Sequence, residues 1–302
     1  MRGPRWLVTA RRSRKEFAVA LLLGLCSSML WGAADFVGGR LSRARSAYSV
    51  IFMAQVSALG GAVVFFVAQN DPGWETDALA WGAVAGLAGA VALGAFYRAL
   101  AVGQMSLVAP VTSISVVLPV VVGVAEGQMP PPLQFVGLVT AGLGTCLAVT
   151  PELRSGPEAG VSSGQSIGLA LLAAAGFGVV LIAIAEGSRT SVSQTMLGQR
   201  AAYVGVVGII LLLRAGTQGH RPRWSRPMLA AAAAVGLADM AANLMYAYAT
   251  RTGSLPVVSV LSSLYPVATV LLARWLDHER LRPLQLAAIA VTLLGVSLIG
   301  AG

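Results

Sequence analysis

Asp239 interrupts an apolar run long enough to cross a bilayer, and its neighbours share its side of the helix that such a run predicts. Asp239, Asn243, Tyr246 and Thr250 fall at i, i+4, i+7 and i+11 and make one polar stripe. A charged side chain inside a span costs roughly 2.5–3.5 kcal/mol on insertion scales, so it faces a cavity or a partner. The stripe can therefore line a solute pathway, or it can be an interhelical hydrogen-bond network with no ligand role. Ser28, Trp31 and Asp35 form a second stripe in the first run. Asp35 stands near the end of that run, where an interfacial place is open to it, and Trp31 can pack or wall a pocket. Tyr97-Arg98 close the third run and Gln199-Arg200 stand near the start of the seventh. Each arginine can meet a carboxylate or an anionic solute, and snorkelling to the interface is the expected arrangement for both. Glu186 and Arg189, three residues apart at the end of the sixth run, are expected to form a structural ion pair.

Pro119 and Pro266 carry a different kind of chemistry. Each removes a helical hydrogen bond, and a freed carbonyl is tolerable at membrane depth only where a helix, hydroxyl or water satisfies it. Thr112 and Ser115 share a face with Pro119, and Ser259, Ser262 and Ser263 share one with Pro266. Interruptions in matching places of two halves point to a carrier's binding site; kinks that serve packing alone are the other reading.

Composition says what must position these groups. The 302-residue chain is 56% hydrophobic and 11% charged, with mean hydropathy +0.76, about half the charge of a soluble domain. Lipid admits only helices or closed barrels, and no alternation of apolar and polar residues suggests strands. The fold class expected is an all-α membrane protein with ten transmembrane helices, approximately 17–37, 47–68, 78–100, 106–125 and 133–150, then 167–185, 193–214, 228–250, 255–276 and 284–301. Six basic residues precede the first run. That run exceeds a signal-peptide core and stays as span one. In span three, Gly82, Gly86, Ala90 and Gly94 make a ladder that admits a close neighbour.

The division expected is a basic tail over 1–16, a five-helix repeat over 17–150, a linker over 151–166 and a second repeat over 167–302. Pro132-Leu133-Gln134 and Pro283-Leu284-Gln285 open spans five and ten identically, and Leu143-Gly144 recurs as Leu294-Gly295. Five is odd, so the second copy must enter the membrane from the opposite side, giving two inverted repeats.

Leu30-Trp31-Gly32, Ala99-Leu100 with Val108-Ala109-Pro110, and Ser262-Ser263-Leu264-Tyr265-Pro266-Val267 running on to Asp277-His278-Glu279-Arg280-Leu281 carry a resemblance to the EamA-type family of the drug/metabolite transporter superfamily. The likeness extends from span one to span ten. After span four the chain reads Glu126-Gly127-Gln128 where that family usually has Gly-Glu-Arg. The resemblance implies a ten-helix inner-membrane carrier of amino acids, other small metabolites or toxic compounds, usually outward, with cytoplasmic termini. Loop arginines at 40, 43, 45, 221, 223 and 226 conflict with that orientation under the positive-inside rule.

The function expected is secondary-active transport by alternating access, through a cavity lined by spans one, three, four, six, eight and nine, with Asp239 or Asp35 exchanging a proton for solute. An uncoupled channel or a lipid-handling protein is the alternative. No phosphate loop is present, so ATP bound to this chain is not the energy source. Two cysteines and two histidines are too few and scattered for a metal site, and no cofactor is expected. The net charge of +9 sits beside apolar runs and anchors helix ends, so nucleic acid is excluded as a partner. The partners expected are a small-molecule solute, the bilayer and a proton or other ion, with a homodimer allowed. An enzyme is not expected, because no nucleophile and base stand together.

Overall fold

Alanine fills the interior of this molecule while larger apolar side chains point out. Ala58, Ala62, Ala85, Ala92, Ala183 and Ala247 are buried, whereas Val64, Leu212, Leu213 and Trp275 are exposed. Water would select the reverse, but between helices in lipid there is no hydrophobic drive, and small residues that let backbones approach supply the packing. The chain is described here by a computed structural model covering residues 5–44, 47–70, 73–102, 112, 114–149, 163–215, 224–276 and 283–301. Among these residues there is no strand.

The first half comprises α1 (Arg5–Ala44), α2 (Ala47–Gln69), α3 (Thr76–Val102), a 3₁₀ turn (Ile114–Val116) leading into α4 (Val117–Ala125), and α5 (Pro132–Val149). The second comprises α6 (Ser163–Thr190), α7 (Val192–Ala215), α8 (Arg226–Thr252), α9 (Leu255–Ser262), α10 (Tyr265–Leu276) and α11 (Pro283–Ala301). Among the described residues, seven segments are long and apolar enough to cross a membrane, α9 and α10 counting as one, and three shorter apolar helices lie at 114–125, 132–144 and 286–301. Helix α1 begins at Arg5, so most of the expected tail is helical, and α6 begins at Ser163, within the expected linker. Residues 151–162 of that linker, and Arg221, Arg223 and Asp277, lie outside the described residues.

The largest helix contacts recur when the halves are exchanged. Helix α1 packs on α8 as α3 packs on α6; α2 packs on α8 as α7 packs on α3; and α1 packs on α9 and α10 as α6 packs on the 3₁₀ turn and α4. Equivalent helices also meet, α2 with α7, α4 with α9 and α5 with α11. The last pair shows why Leu143-Gly144 recurs. Gly144 lies against Ala288 and Thr292, and Gly295 lies against Gly137 and Ala141. These contacts are one contact made twice, at an offset of 151 residues (295 − 144 and 288 − 137). A side chain at either glycine would strike the facing backbone. Because 137 faces 295 and 299 while 144 faces 288 and 292, α5 and α11 run antiparallel.

Of the glycine ladder in α3, Gly82 and Gly86 abut the α7 backbone at Thr195, Gln199 and Tyr203. Ala90 packs with Tyr203 and Val207. Gly94 has nothing within 4 Å of where its Cβ would be. This crossing brings the first turns of α7 into the bundle, a step needed for the site below.

Candidate functional site

The site is built from the Asp239 stripe outward. Asp239 lies near the middle of α8, and 3.6-residue periodicity turns Asp239, Asn243 and Tyr246 towards the helices packed on that face. The Asp239 carboxylate accepts hydrogen bonds from Trp31 Nε1 at 3.0 Å, Asn243 Nδ2 at 3.2 Å, Gln55 Nε2 at 3.4 Å and Arg200 Nη1 at 2.6 Å. Four helices, α1, α2, α7 and α8, thus meet at one carboxylate, two from each half. Arg200 Nη1 also donates to Gln55 Oε1 at 2.8 Å, and Asn243 Nδ2 to the Asp239 carbonyl at 2.7 Å. Gln199 Nε2 donates to Asn243 Oδ1 at 3.3 Å.

Arg200 does not snorkel. It is 1% exposed and ion-paired with Asp239, contrary to the expectation from its place near the start of span seven. That expectation counted residues from the helix end, but the side chain faces α2 and α8, where a carboxylate waits. A charge pair satisfied inside the bundle outcompetes a long reach to the interface. Two buried polar atoms of this cluster have no hydrogen-bond partner among the described residues: Arg200 Nε and Gln199 Oε1. An unsatisfied buried donor or acceptor costs about 1–3 kcal/mol.

A second polar run leads away from Trp31. Its ring stands 6.1 Å from that of Tyr246. The Tyr246 hydroxyl shares a 2.9 Å hydrogen bond with Ser259 Oγ on α9, and Ser262 Oγ donates to the Gly24 carbonyl of α1 at 3.4 Å. Ser263 Oγ donates to the Val260 carbonyl at 2.8 Å, in the turn between α9 and α10. Span nine is therefore broken just ahead of Pro266, and hydroxyls occupy carbonyls around the break. Pro266 is the second residue of α10 and Pro119 the third of α4. Pro266 falls in a first turn, where a missing N–H has no partner to lose, whereas Pro119 follows a 3₁₀ turn whose Val116 is already helical, so its missing N–H lies within a continuous helical run. Ser115 and Pro119 are buried, as is Thr112. The Thr250 hydroxyl bonds back to Ala247 O at 2.9 Å and does not extend the network.

Asp35 is exposed on α1, one turn beyond Trp31. Arg98 is exposed and lines a cleft of about 370 Å³ between α3, α6 and α7, with Ala90, Leu169, Leu172 and Val206. The side chains of Tyr97 and Pro266 lie outside the described residues. Sequence reasoning missed Gln55, because a lone glutamine in an apolar run has no stripe to mark it. It also did not foresee that α2 and α7 bring side chains to this cluster.

Beside Glu16 and Phe17 of α1, a pocket of about 610 Å³ is lined by Gln128, Gln134, Arg189, Thr250 and Ser254 among others. Arg189 there bridges Glu186 at 3.0 Å and Glu126 at 2.7 Å, so the expected pair gains a third member from the other half. Gln128 Oε1 accepts the Leu255 N–H at 2.7 Å, at the first residue of α9. Arg189 and Glu126 are 54% and 35% exposed, and exposed pairs contribute little. Glu126→Gln is expected to shift stability by less than about 1 kcal/mol, read by thermal unfolding in detergent.

Two matched halves around an interhelical charge cluster set the frame for the sequence comparisons. The profile of the EamA-like transporter family matches residues 18–150 and again 165–301. The chain belongs to the EamA-like transporter family. The family lies within the drug/metabolite transporter superfamily, and its two matches fall one on each half of the helical packing. With seven long apolar spans, this makes the chain a multi-pass membrane protein of a transporter family. A solved crystal structure is similar in fold at 16% sequence identity, with a TM-score of 0.77 over 93% of this chain and 96% of that one. No curated protein matches the sequence.

Proposed function

We propose that this EamA-like protein is a secondary-active transporter of a small polar solute, working by alternating access across a cell's inner membrane with ten spans in two inverted repeats. The observation that carries the reading is the Arg200–Asp239 cluster, held by helices of both halves in the interior of an apolar bundle. Antiparallel α5 and α11 support the inversion, since equivalent helices related by an axis in the membrane plane must run oppositely. The short 3₁₀ turn with α4, together with α5 and α11, supplies the spans beyond the seven long ones. Helices α5 and α11, of 18 and 19 residues, reach about 27–29 Å at 1.5 Å per residue, close to the roughly 30 Å hydrocarbon core.

In this reading a charge pair shared by the halves weakens or re-forms as they rock, so the site faces one side and then the other. Asp239, with Asp35 one turn past Trp31, exchanges a proton for solute, and the direction is outward. Reconstituted in liposomes, the wild type is expected to show accelerated uptake after preloading with solute, which a channel would not. Asp239→Asn is expected to lose at least about 90% of proton-dependent flux, since a charge-assisted contact contributes roughly 1.5–3 kcal/mol and tenfold corresponds to 1.4. Full flux in that variant would remove Asp239 from the pathway.

A further inference from the structure

The Arg200–Asp239 pair uses the guanidinium incompletely. A guanidinium offers five N–H donors in a planar fork, and its strongest arrangement is two parallel bonds to the two oxygens of one carboxylate. Here Asp239 engages side-on with one oxygen alone. Its Oδ2 takes Nη1, while Oδ1 is turned to Trp31 and Asn243. Among the described residues Nη2 reaches only the Asp239 backbone carbonyl, at 3.4 Å. Nε is buried with no partner among the described residues. The edge of the fork made by Nε and Nη2 is thus the edge least used, on a side chain that is 1% exposed.

We infer that Arg200 is the anchor for a free carboxylate on the transported solute, and that Asp239 is its resident counter-ion in the solute-free state. The assignment rests on reading this cluster as the solute site. Both oxygens of an arriving carboxylate match the spacing of Nε and Nη2, which neither an ammonium nor a neutral amide reproduces. The incoming group satisfies the unpaired Nε donor and competes with Asp239 for the guanidinium. Asp239 does not lose its support when that happens, because Trp31, Asn243 and Gln55 still donate to it. Those three contacts are what distinguish an exchangeable counter-ion from a permanent one: the carboxylate has a place to stay when the arginine turns to solute. Lysine could replace the charge of Arg200 but not the planar edge.

The test uses the purified full-length chain in detergent, with benzoate as probe and benzamide and benzylamine as neutral and cationic isosteres, reading probe-dependent thermal stabilisation. Wild type is expected to respond saturably to benzoate and not to the isosteres. Asp239→Asn, which removes the competing charge, is expected to respond at about tenfold lower benzoate concentration, in line with one charge-assisted hydrogen bond. The double variant Arg200→Gln/Asp239→Asn is expected to fold and to give no response. Should Asp239→Asn fail to fold, Arg200→Lys decides, with an expected loss of at least tenfold in benzoate affinity. A double variant or an Arg200→Lys variant that responds as wild type does would overturn the assignment. Flux in liposomes is read separately: a benzoate response without flux keeps the anchor and removes the carrier reading. Countertransport without an Arg200-dependent response does the reverse.

Discussion

Arg200→Met is expected to cost about 3–5 kcal/mol of stability, the range for removing one partner of a buried charge pair, and to lower the apparent Tm in detergent by on the order of 10 °C. Methionine matches the arginine stem in length, so packing against α2 and α8 is largely kept and the loss is electrostatic. What remains is a carboxylate 24% exposed with no counter-charge, and a Gln55 Oε1 that has lost its 2.8 Å donor. The second half of the experiment is the companion change. Arg200→Met/Asp239→Leu removes both charges, and apolar replacements of a buried pair are often neutral. The double variant is therefore expected to recover most of the loss while remaining inactive in liposomes. A single variant as stable as wild type would mean that solvent reaches this pair freely.

The residues that were legible in sequence and those that were not divide along a physical line. Periodicity on a single helix placed Asp239, Asn243 and Tyr246 on one face, because that face is decided by 3.6 residues per turn alone. The repeat of Leu143-Gly144 as Leu294-Gly295 anticipated the crossing of α5 on α11, since a close approach of backbones leaves its glycines behind. Arg200 and Gln55 were not legible as Asp239's partners. Their pairing depends on α2 and α7 lying beside α8, which is a property of the topology, and no local pattern in either helix records it. The same gap hid the part that spans two and seven play in this cluster. In the structure α3 meets α7 through Gly82 and Gly86, which is a backbone contact, and spans two and seven bring the side chains. The break in span nine was half legible: proline announced that a hydrogen bond was missing, but only coordinates show the interruption at Ser263–Leu264 with α10 restarting at Tyr265.

That backbones must approach closely for the cluster to form gives the second large expectation. Gly236 sits on α8 about one turn before Asp239, and a Cβ there would overlap the Ala54 carbonyl of α2 and the Ser57 hydroxyl. Ser57 Oγ already bonds the Ala54 and Ala233 carbonyls at 2.7 and 3.1 Å, so the facing atoms are fixed and cannot yield as a flexible side-chain tip would. Gly236→Ala is therefore expected to destabilise by about 1–3 kcal/mol, as overpacking does, and Gly236→Val by more. Gly60 on α2 has nothing within 4 Å of its Cβ position. Gly60→Ala is expected to be neutral or to stabilise by up to about 1 kcal/mol through the restricted unfolded chain. The pair of variants separates a helix-propensity effect from a contact effect in one thermal-unfolding comparison. It also reaches function, because Gln55 lies next to Ala54 in the chain. Pushing α2 off α8 draws Gln55 away from both Arg200 and Asp239, so Gly236→Ala should lose transport out of proportion to the folded protein that remains. If flux per folded molecule were unchanged, the Gln55 contacts would be dispensable, and the cluster would work through Trp31, Asn243, Arg200 and Asp239 alone.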